Sequence, residues 1–226
     1  MIFGSISYLN LLPFQLFLKR ALPSNQIKQA FQYRRDVPSR INRAFQKRAI
    51  NAAFISSVTS SKCRCSDLGI IADGAVRSVF VLEGEDEIDR ESASSNMLAK
   101  ILKLQGRVLI GDKALRHHLS GGEGIDLAER WKDDTGLPFV FARLCYNGHS
   151  STINSLTKRF TKQPVRIPQT ILKKESRAKG IKPQELLWYL EHIHYEMDYK
   201  AKRSLKLFLR KSRKARRQAS FKPSKS

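Results

Sequence analysis

Short apolar runs alternate with amphipathic stretches along the first part of the chain, and their spacing predicts strands and helices in turn. Ile2 to Ile6 reads as a first strand, and Ser7 to Asn10 places hydroxyls and an amide where it ends. Phe14, Phe17, Leu18 and Leu22 recur at helical spacing until Pro23-Ser24 stops them. Gln32-Tyr33 supplies a short second strand. Val37-Pro38-Ser39 then opens a helix with Ile41, Ala44 and Phe45 on its inner face. Ala52 to Ile55 is a buried strand ending in Ser56-Ser57. The order β-α-β-α-β predicts the start of a doubly wound sheet.

The middle of the chain changes character. Leu68 to Ala72 and Val76 to Leu82 are apolar strands separated by Asp73-Gly74, and the second runs into the acidic, turn-like segment Glu83 to Arg90. Ser92 to Leu104 predicts a helix with Met97, Leu98, Ile101 and Leu102 inward. Val108 to Ile110 predicts a strand, and Lys113 to Leu119 a short helix ended by Gly121-Gly122. Ile125 to Thr135 is helical with Trp131 on its apolar side, and Leu137 to Cys145 is a long apolar strand returning to the first unit. Residues 83–136 are therefore expected to form a smaller α/β lobe inserted into a discontinuous one made of 1–82 and 137–211. Two crossing strands would form the hinge, with a cleft between the lobes.

Beyond Tyr146 a helix is expected over Ser151 to Phe160, a break at Pro164 to Pro168, and a helix over Thr170 to Lys179 ended by Gly180. One long helix is expected from Pro183 to Arg210, with Leu186, Leu190, Ile193, Met197, Leu205 and Phe208 in its packing stripe. Residues 212–226 read as a disordered basic tail.

With 226 residues, 41% of them hydrophobic, the chain can bury one large core or two smaller ones. No apolar run is long enough for a bilayer and no secretion signal is read at the start, so a cytoplasmic address is expected, with no membrane partner. Cys63, Cys65 and Cys145 are odd in number and Cys-Arg-Cys is too tight for a zinc knuckle, so reduced thiols are expected. The five histidines complete no ligand spacing. Neither a metal nor a cofactor is assigned.

The formal net charge of +22 raises nucleic-acid binding as a function class. Twelve Lys/Arg and no Asp/Glu fall between Lys200 and Ser226, so more than half of that excess lies at the end of the chain. No aromatic-plus-basic strand pattern, finger or phosphate loop accompanies it. The charge is read as a solvated basic surface that would attract an anionic small molecule, and no nucleic-acid partner is assigned.

Asn10, at the carboxyl end of the first strand, stands where open α/β sheets bind ligands, although an Asn there also serves to cap the following helix. The block Gly4-Ser5-Ile6-Ser7-Tyr8-Leu9-Asn10 resembles the start of the chorismate dehydratases of the futalosine route to menaquinone. Further blocks follow in the same order: Ala52 to Ser57, Val76 to Leu82, Ser92 to Ser95, Leu109 to Leu115, Asp126 to Trp131 and Thr135 to Ala142. The resemblance spans roughly residues 2 to 210. It implies an α/β, two-lobed, type II periplasmic-binding-protein-like fold and a lyase that dehydrates chorismate to 3-[(1-carboxyvinyl)oxy]benzoate.

The resemblance further implies that Asn10 and Ser78 are the catalytic pair, binding the enolpyruvyl carboxylate and placing it over the C3 hydrogen. Ser57, Ser94 and Ser95 are further candidates for substrate carboxylate contacts. Asp112 is a candidate general acid for the leaving hydroxyl or a structural turn residue. Asn51 stands where the family commonly has Asp, Ser7 stands where Pro is frequent, and the stretch from Leu104 to Val108 is short. Two other readings share the fold: the sister enzyme that cleaves cyclic dehypoxanthine futalosine, and a non-catalytic solute-binding protein. Monomer and homodimer are both compatible with the sequence.

Overall fold

The structure, a computed structural model, describes residues 1–21, 32–163 and 165–220. The expected helix stop at Pro23-Ser24, the break residue Pro164 and residues 221–226 of the expected tail lie outside the described residues.

The larger lobe is built on a six-stranded mixed sheet. It contains β1 (Ile2–Ser5), β2 (Gln32–Arg35), β3 (Ala52–Ser56), β4 (Cys65–Ala72), β8 (Phe139–Tyr146) and β9 (His194–Glu196), in the order β2-β1-β3-β8-β4-β9. β1 runs parallel to both β2 and β3, whereas β8 is antiparallel to β3 and β4. Helices α1 (Leu12–Ala21) and α2 (Pro38–Gln46) cover this sheet. Phe14 of α1 lies at the centre of an aromatic cluster, with Phe54 and Phe160 each 5.1 Å away edge-on and Phe3 at 5.8 Å. The helical spacing of Phe14, Phe17 and Leu18 thus puts one face of α1 into the core, as the sequence predicts.

The smaller lobe carries a three-stranded sheet, β6-β5-β7, formed by β5 (Val79–Leu82), β6 (Arg107–Ile110) and β7 (Ile125–Asp126). Helices α3 (Ala93–Leu102), α4 (Gly111–Leu119) and α5 (Leu127–Thr135) pack with it. Each crossing segment belongs to one lobe as a strand. β5 begins at Val79 in the small sheet, and β8 begins at Phe139 in the large one. The chain passes between the lobes at 73–78 and 136–138, so the peptide groups of the hinge need partners other than a sheet ladder.

The C-terminal third departs from expectation. The helix expected over Pro183–Arg210 is divided into α8 (Pro183–Glu191), β9 and α9 (Tyr199–Ser220), after α6 (Ser150–Lys162) and α7 (Gln169–Lys179). β4 offers an edge that β9 occupies, pairing Leu68 with Glu196 and Ile71 with His194. Sheet pairing requires extended backbone, which overrides the helical stripe. Asp198 then restarts the helix by accepting from Ala201 N at 2.7 Å.

α9 runs on through Ser220, so 212–220 is helix and not the disordered tail expected. Ser212 is buried and donates to the Phe208 carbonyl, while the ammonium of Lys211 lies 6.0 Å from the centre of the Trp131 ring. Trp131, Phe139 and Phe208 pack edge to face, and Trp131 Nε1 donates to Ser204 Oγ at 2.9 Å. α9 therefore joins the small lobe, through α5, to β8 of the large one.

The expectation of three reduced thiols is also corrected. Cys65 and Cys145 are register partners on β4 and β8 and form a disulfide, which leaves Cys63 free. Among the described residues, no helix is long and apolar enough to cross a membrane.

Candidate active site

Where β1 ends, the chain turns through a short 3₁₀ segment, Leu9–Leu11, before α1 begins. That turn is held at three consecutive backbone groups: Leu9 N donates to Asp112 Oδ1 at 3.2 Å, Tyr195 Oη donates to the Asn10 carbonyl at 2.7 Å, and Leu11 N donates to the Tyr8 carbonyl at 3.0 Å. Asn10 is thereby fixed at the carboxyl end of β1, facing a cavity of about 80 Å³ between the lobes.

The large lobe contributes Ile6, Tyr8, Asn10, Leu11, Pro38, Phe54, Ser56, Ile70 and Phe141 to the wall. The hinge contributes Val76 and Ser78, and the small lobe contributes Val79, Ser92, Ser95, Ile110 and Gly111. Every polar side chain in this lining is neutral: an amide, a phenol and four serine hydroxyls. Hydrogen-bond donors in a largely apolar cavity are worth more to a bound anion than the same donors in water.

Ser78 is placed by the hinge. Asp126, 4% exposed, accepts from Val76 N at 2.9 Å and Arg77 N at 2.8 Å through one oxygen, and from Ala128 N at 3.0 Å and Glu129 N at 3.2 Å through the other. One carboxylate thus caps α5 and supplies the partners that the hinge backbone needs. Arg77 sits at φ +60°, and the Ser78 carbonyl accepts from Gly111 N at 2.8 Å. Burial pushes the Asp126 carboxyl above its ordinary range, while its four N–H donors pull it back. Ser78 Oγ lies 3.0 Å from the hydroxyl of Tyr189, on α8.

Of the residues named from the sequence, Asn10, Ser78 and Ser95 meet in this cavity. Ser57 lies outside the lining and donates to the Val140 carbonyl at 2.6 Å. Ser94 also lies outside it, accepting from Val58 N at 3.3 Å. Asp112 faces an outer cleft, with Lys179 Nζ at 2.6 Å from Oδ2 and Leu9 N on Oδ1. Sequence reasoning missed Ser56, Ser92, Tyr8, Tyr189, Tyr195 and Asp126. Ser92 had a readable signal, since a Ser directly ahead of an apolar-periodic helical stretch is a favoured N-cap, and it does accept from Ser95 N.

Tyr8 separates the cavity from the outer cleft. Its hydroxyl donates to Glu91 of the small lobe, and its ring lies on the backbone of Gly111, where an added Cβ would come within 2.8 Å of Cε1. Burial foremost, then the hydrogen bond to Glu91, holds this phenol well above the ordinary tyrosine range, so it stays protonated. The outer cleft, about 560 Å³, mixes Arg35, Lys113, Arg116 and Lys179 with Asp36, Asp89, Glu91 and Asp112.

Comparison with known proteins gives a family and a fold. A family model described as menaquinone biosynthesis matches residues 1–106 and 87–214. A chorismate dehydratase of Campylobacter jejuni subsp. jejuni serotype O:23/36 (strain 81-176) is 39% identical over 215 residues, covering 93% of this chain and 96% of that protein. Among solved structures, protein AF1704 of Archaeoglobus fulgidus superposes with a TM-score of 0.66 at 10% identity, over 98% of each chain. The periplasmic aliphatic sulphonate binding protein SsuA of Escherichia coli superposes with a TM-score of 0.55 at 11% identity, over 93% of this chain and 91% of that one. The likeness to the sulphonate binding protein shows the periplasmic-binding-protein-like fold, and neither likeness speaks to the chemistry.

Proposed function

The chain belongs to the menaquinone biosynthesis family, and we propose that it is an enzyme that removes water from chorismate to give 3-[(1-carboxyvinyl)oxy]benzoate. The relative at 39% identity carries that activity in its name, and the two chains cover each other almost end to end. One observation carries the reading at the level of the site: Asn10 and Ser78 line one interlobe cavity to which, among the described residues, only uncharged side chains contribute.

Elimination from chorismate takes the C3 hydrogen and the C4 hydroxyl and leaves an aromatic ring. The C–H electron pair enters the ring, the C4–O bond breaks, and the departing oxygen leaves as water after accepting a proton. Aromatisation drives the step, so the protein's task is to hold the substrate and to place a base. In this proposal Asn10 and Ser78 grip the enolpyruvyl carboxylate and keep it over C3, and that carboxylate takes the proton. Ser92, Ser95 and the start of α3 are suited to the ring carboxylate, because a helix N-terminus favours an anion.

A cavity of about 80 Å³ is well below the usual size of a ligand pocket, so the lobes part to admit the substrate. The two alternatives are not favoured. The named relative is a dehydratase, and among the described residues the cavity lining includes no histidine for the sister reaction. Incubating the purified protein with chorismate and recording product mass tests the reading: loss of one water supports it, and unchanged chorismate rejects it.

A further inference from the structure

Two tyrosines from consecutive elements of the C-terminal segment reach the two residues assigned above to the substrate carboxylate. Tyr189, on α8, is 2% exposed and places its hydroxyl 3.0 Å from Ser78 Oγ, across 111 residues of chain. Tyr195, on β9, donates to the Asn10 carbonyl at 2.7 Å, across 185 residues, with its ring edge-on to Phe160 at 5.1 Å. The geometry points to Tyr189 and Tyr195 as positioning residues for dehydration, each setting one of the two side chains that hold the substrate. This inference rests on the reading of Asn10 and Ser78 given above.

The direction of the first contact follows from satisfaction of buried donors. A phenol O–H sealed in the core is costly without an acceptor, and among the described residues the Tyr189 hydroxyl hydrogen-bonds to Ser78 alone. Tyr189 therefore donates, Ser78 Oγ accepts, and the Ser78 hydrogen is left to point into the cavity that Ser78 lines. An O–H whose oxygen already accepts a hydrogen bond is a stronger donor, so the chain Tyr189 to Ser78 to carboxylate reinforces itself. Burial holds the Tyr189 phenol above its ordinary range, which keeps the donor in place at neutral pH.

Tyr195 acts on the backbone instead. With Leu9 N tied to Asp112 and Leu11 N tied to Tyr8, the bond to the Asn10 carbonyl closes the turn and fixes the direction of the Asn10 side chain. A phenylalanine at either position keeps ring packing and removes a single oxygen, so the folded chain survives the test.

The experiment measures kcat and KM for Tyr189→Phe, Tyr195→Phe, Ser78→Ala, Asn10→Ala and the doubles Tyr189→Phe/Ser78→Ala and Tyr195→Phe/Asn10→Ala, with thermal melts alongside. Each Phe variant is expected to lose about tenfold in kcat with KM changed less than about threefold, the effect of one hydrogen bond made stronger in the transition state. Each double is expected to be no slower than its Ala single, because the tyrosine acts through that partner. Wild-type kcat in both Phe variants, a loss confined to KM, or losses that multiply in the doubles would overturn the inference while leaving the site reading intact. Unmodified turnover in Ser78→Ala and Asn10→Ala would instead overturn the site reading, and this inference with it.

Discussion

Replacing Asp126 with alanine isolates what holds the hinge. The carboxylate is 4% exposed and accepts four backbone N–H bonds between 2.8 and 3.2 Å, two from the hinge at Val76 and Arg77 and two from the first turn of α5. Losing the cap of α5 costs about 1 kcal/mol. The two hinge donors have no helix to rejoin. Left without an acceptor, each costs about 1–3 kcal/mol, and Arg77 at φ +60° loses the contact that offsets its left-handed backbone.

The sum is a destabilisation of about 3–7 kcal/mol, a large share of the roughly 5–15 kcal/mol that keeps an ordinary domain folded. Urea unfolding followed by circular dichroism reads it as a lower midpoint at an unchanged slope. Asp126→Asn, which keeps one acceptor oxygen, is expected to fall between alanine and the native protein. Because Ser78 follows Arg77 directly, turnover of the folded fraction is also expected to drop. An alanine variant within about 1 kcal/mol of the native midpoint would refute the reasoning, since the hinge would then be held by other contacts.

Other perturbations follow from single contacts. Gly111→Ala places a methyl group 2.8 Å from the Tyr8 ring at a φ of +66°, so it is expected to displace Tyr8 from Glu91, to cost about 1–2 kcal/mol, and to lower kcat; unchanged stability and turnover would show that Tyr8 has room to move. Trp131→Ala empties the joint between α5, β8 and α9 and is expected to cost about 3–5 kcal/mol in urea unfolding, whereas a cost below about 1 kcal/mol would place that joint outside the core.

His118, between Phe80 and Trp188, is pushed below its ordinary range by burial first and then by the charges of Arg77, His192 and His117, with Asp126 opposing. The unfolded chain then binds the proton more readily than the folded one. His118 therefore contributes stability above the ordinary histidine range that fades as pH falls through that range toward its lowered value. His118→Gln is expected to flatten the acid side of the stability curve as pH falls through and below the ordinary histidine range, and an unchanged slope would contradict this.

α1, α2 and β3 were readable because their burial is written locally, as an apolar face at helical spacing on the helices and a continuous apolar run on the strand, whereas β2 is exposed throughout. Phe14, Phe17 and Leu18 on α1 and the continuous run Ala52 to Ile55 on β3 carry their environment in their spacing. The division of the last long helix was not readable. Leu186, Leu190, Ile193 and Met197 fit a helical stripe, and what extends residues 194–196 is the edge of β4, more than a hundred residues earlier. Ser212 reads as the start of a polar tail, yet it is small enough to enter the core beside Phe208.

The same distinction divides the site. Asn10, Ser78 and Ser95 sit in resembling blocks and share the cavity, whereas Ser57, Ser94 and Asp112 sit in resembling blocks and lie outside it. The strand-end logic that singled out Ser57 and Asp112 did not say where their polar atoms would be spent, and tertiary partners at Val140, Leu9 and Lys179 take them. Tyr189, Tyr195 and Asp126 reach the site only through contacts that no local window contains.

Turnover of chorismate by Ser78→Ala and Asn10→Ala, each shown folded by its melting curve, tests most directly whether uncharged donors in the interlobe cavity carry the reaction. Both variants are expected to lose on the order of 10²-fold or more in kcat, as when one donor to a developing charge is removed. Folded variants that dehydrate chorismate at the native rate would contradict it.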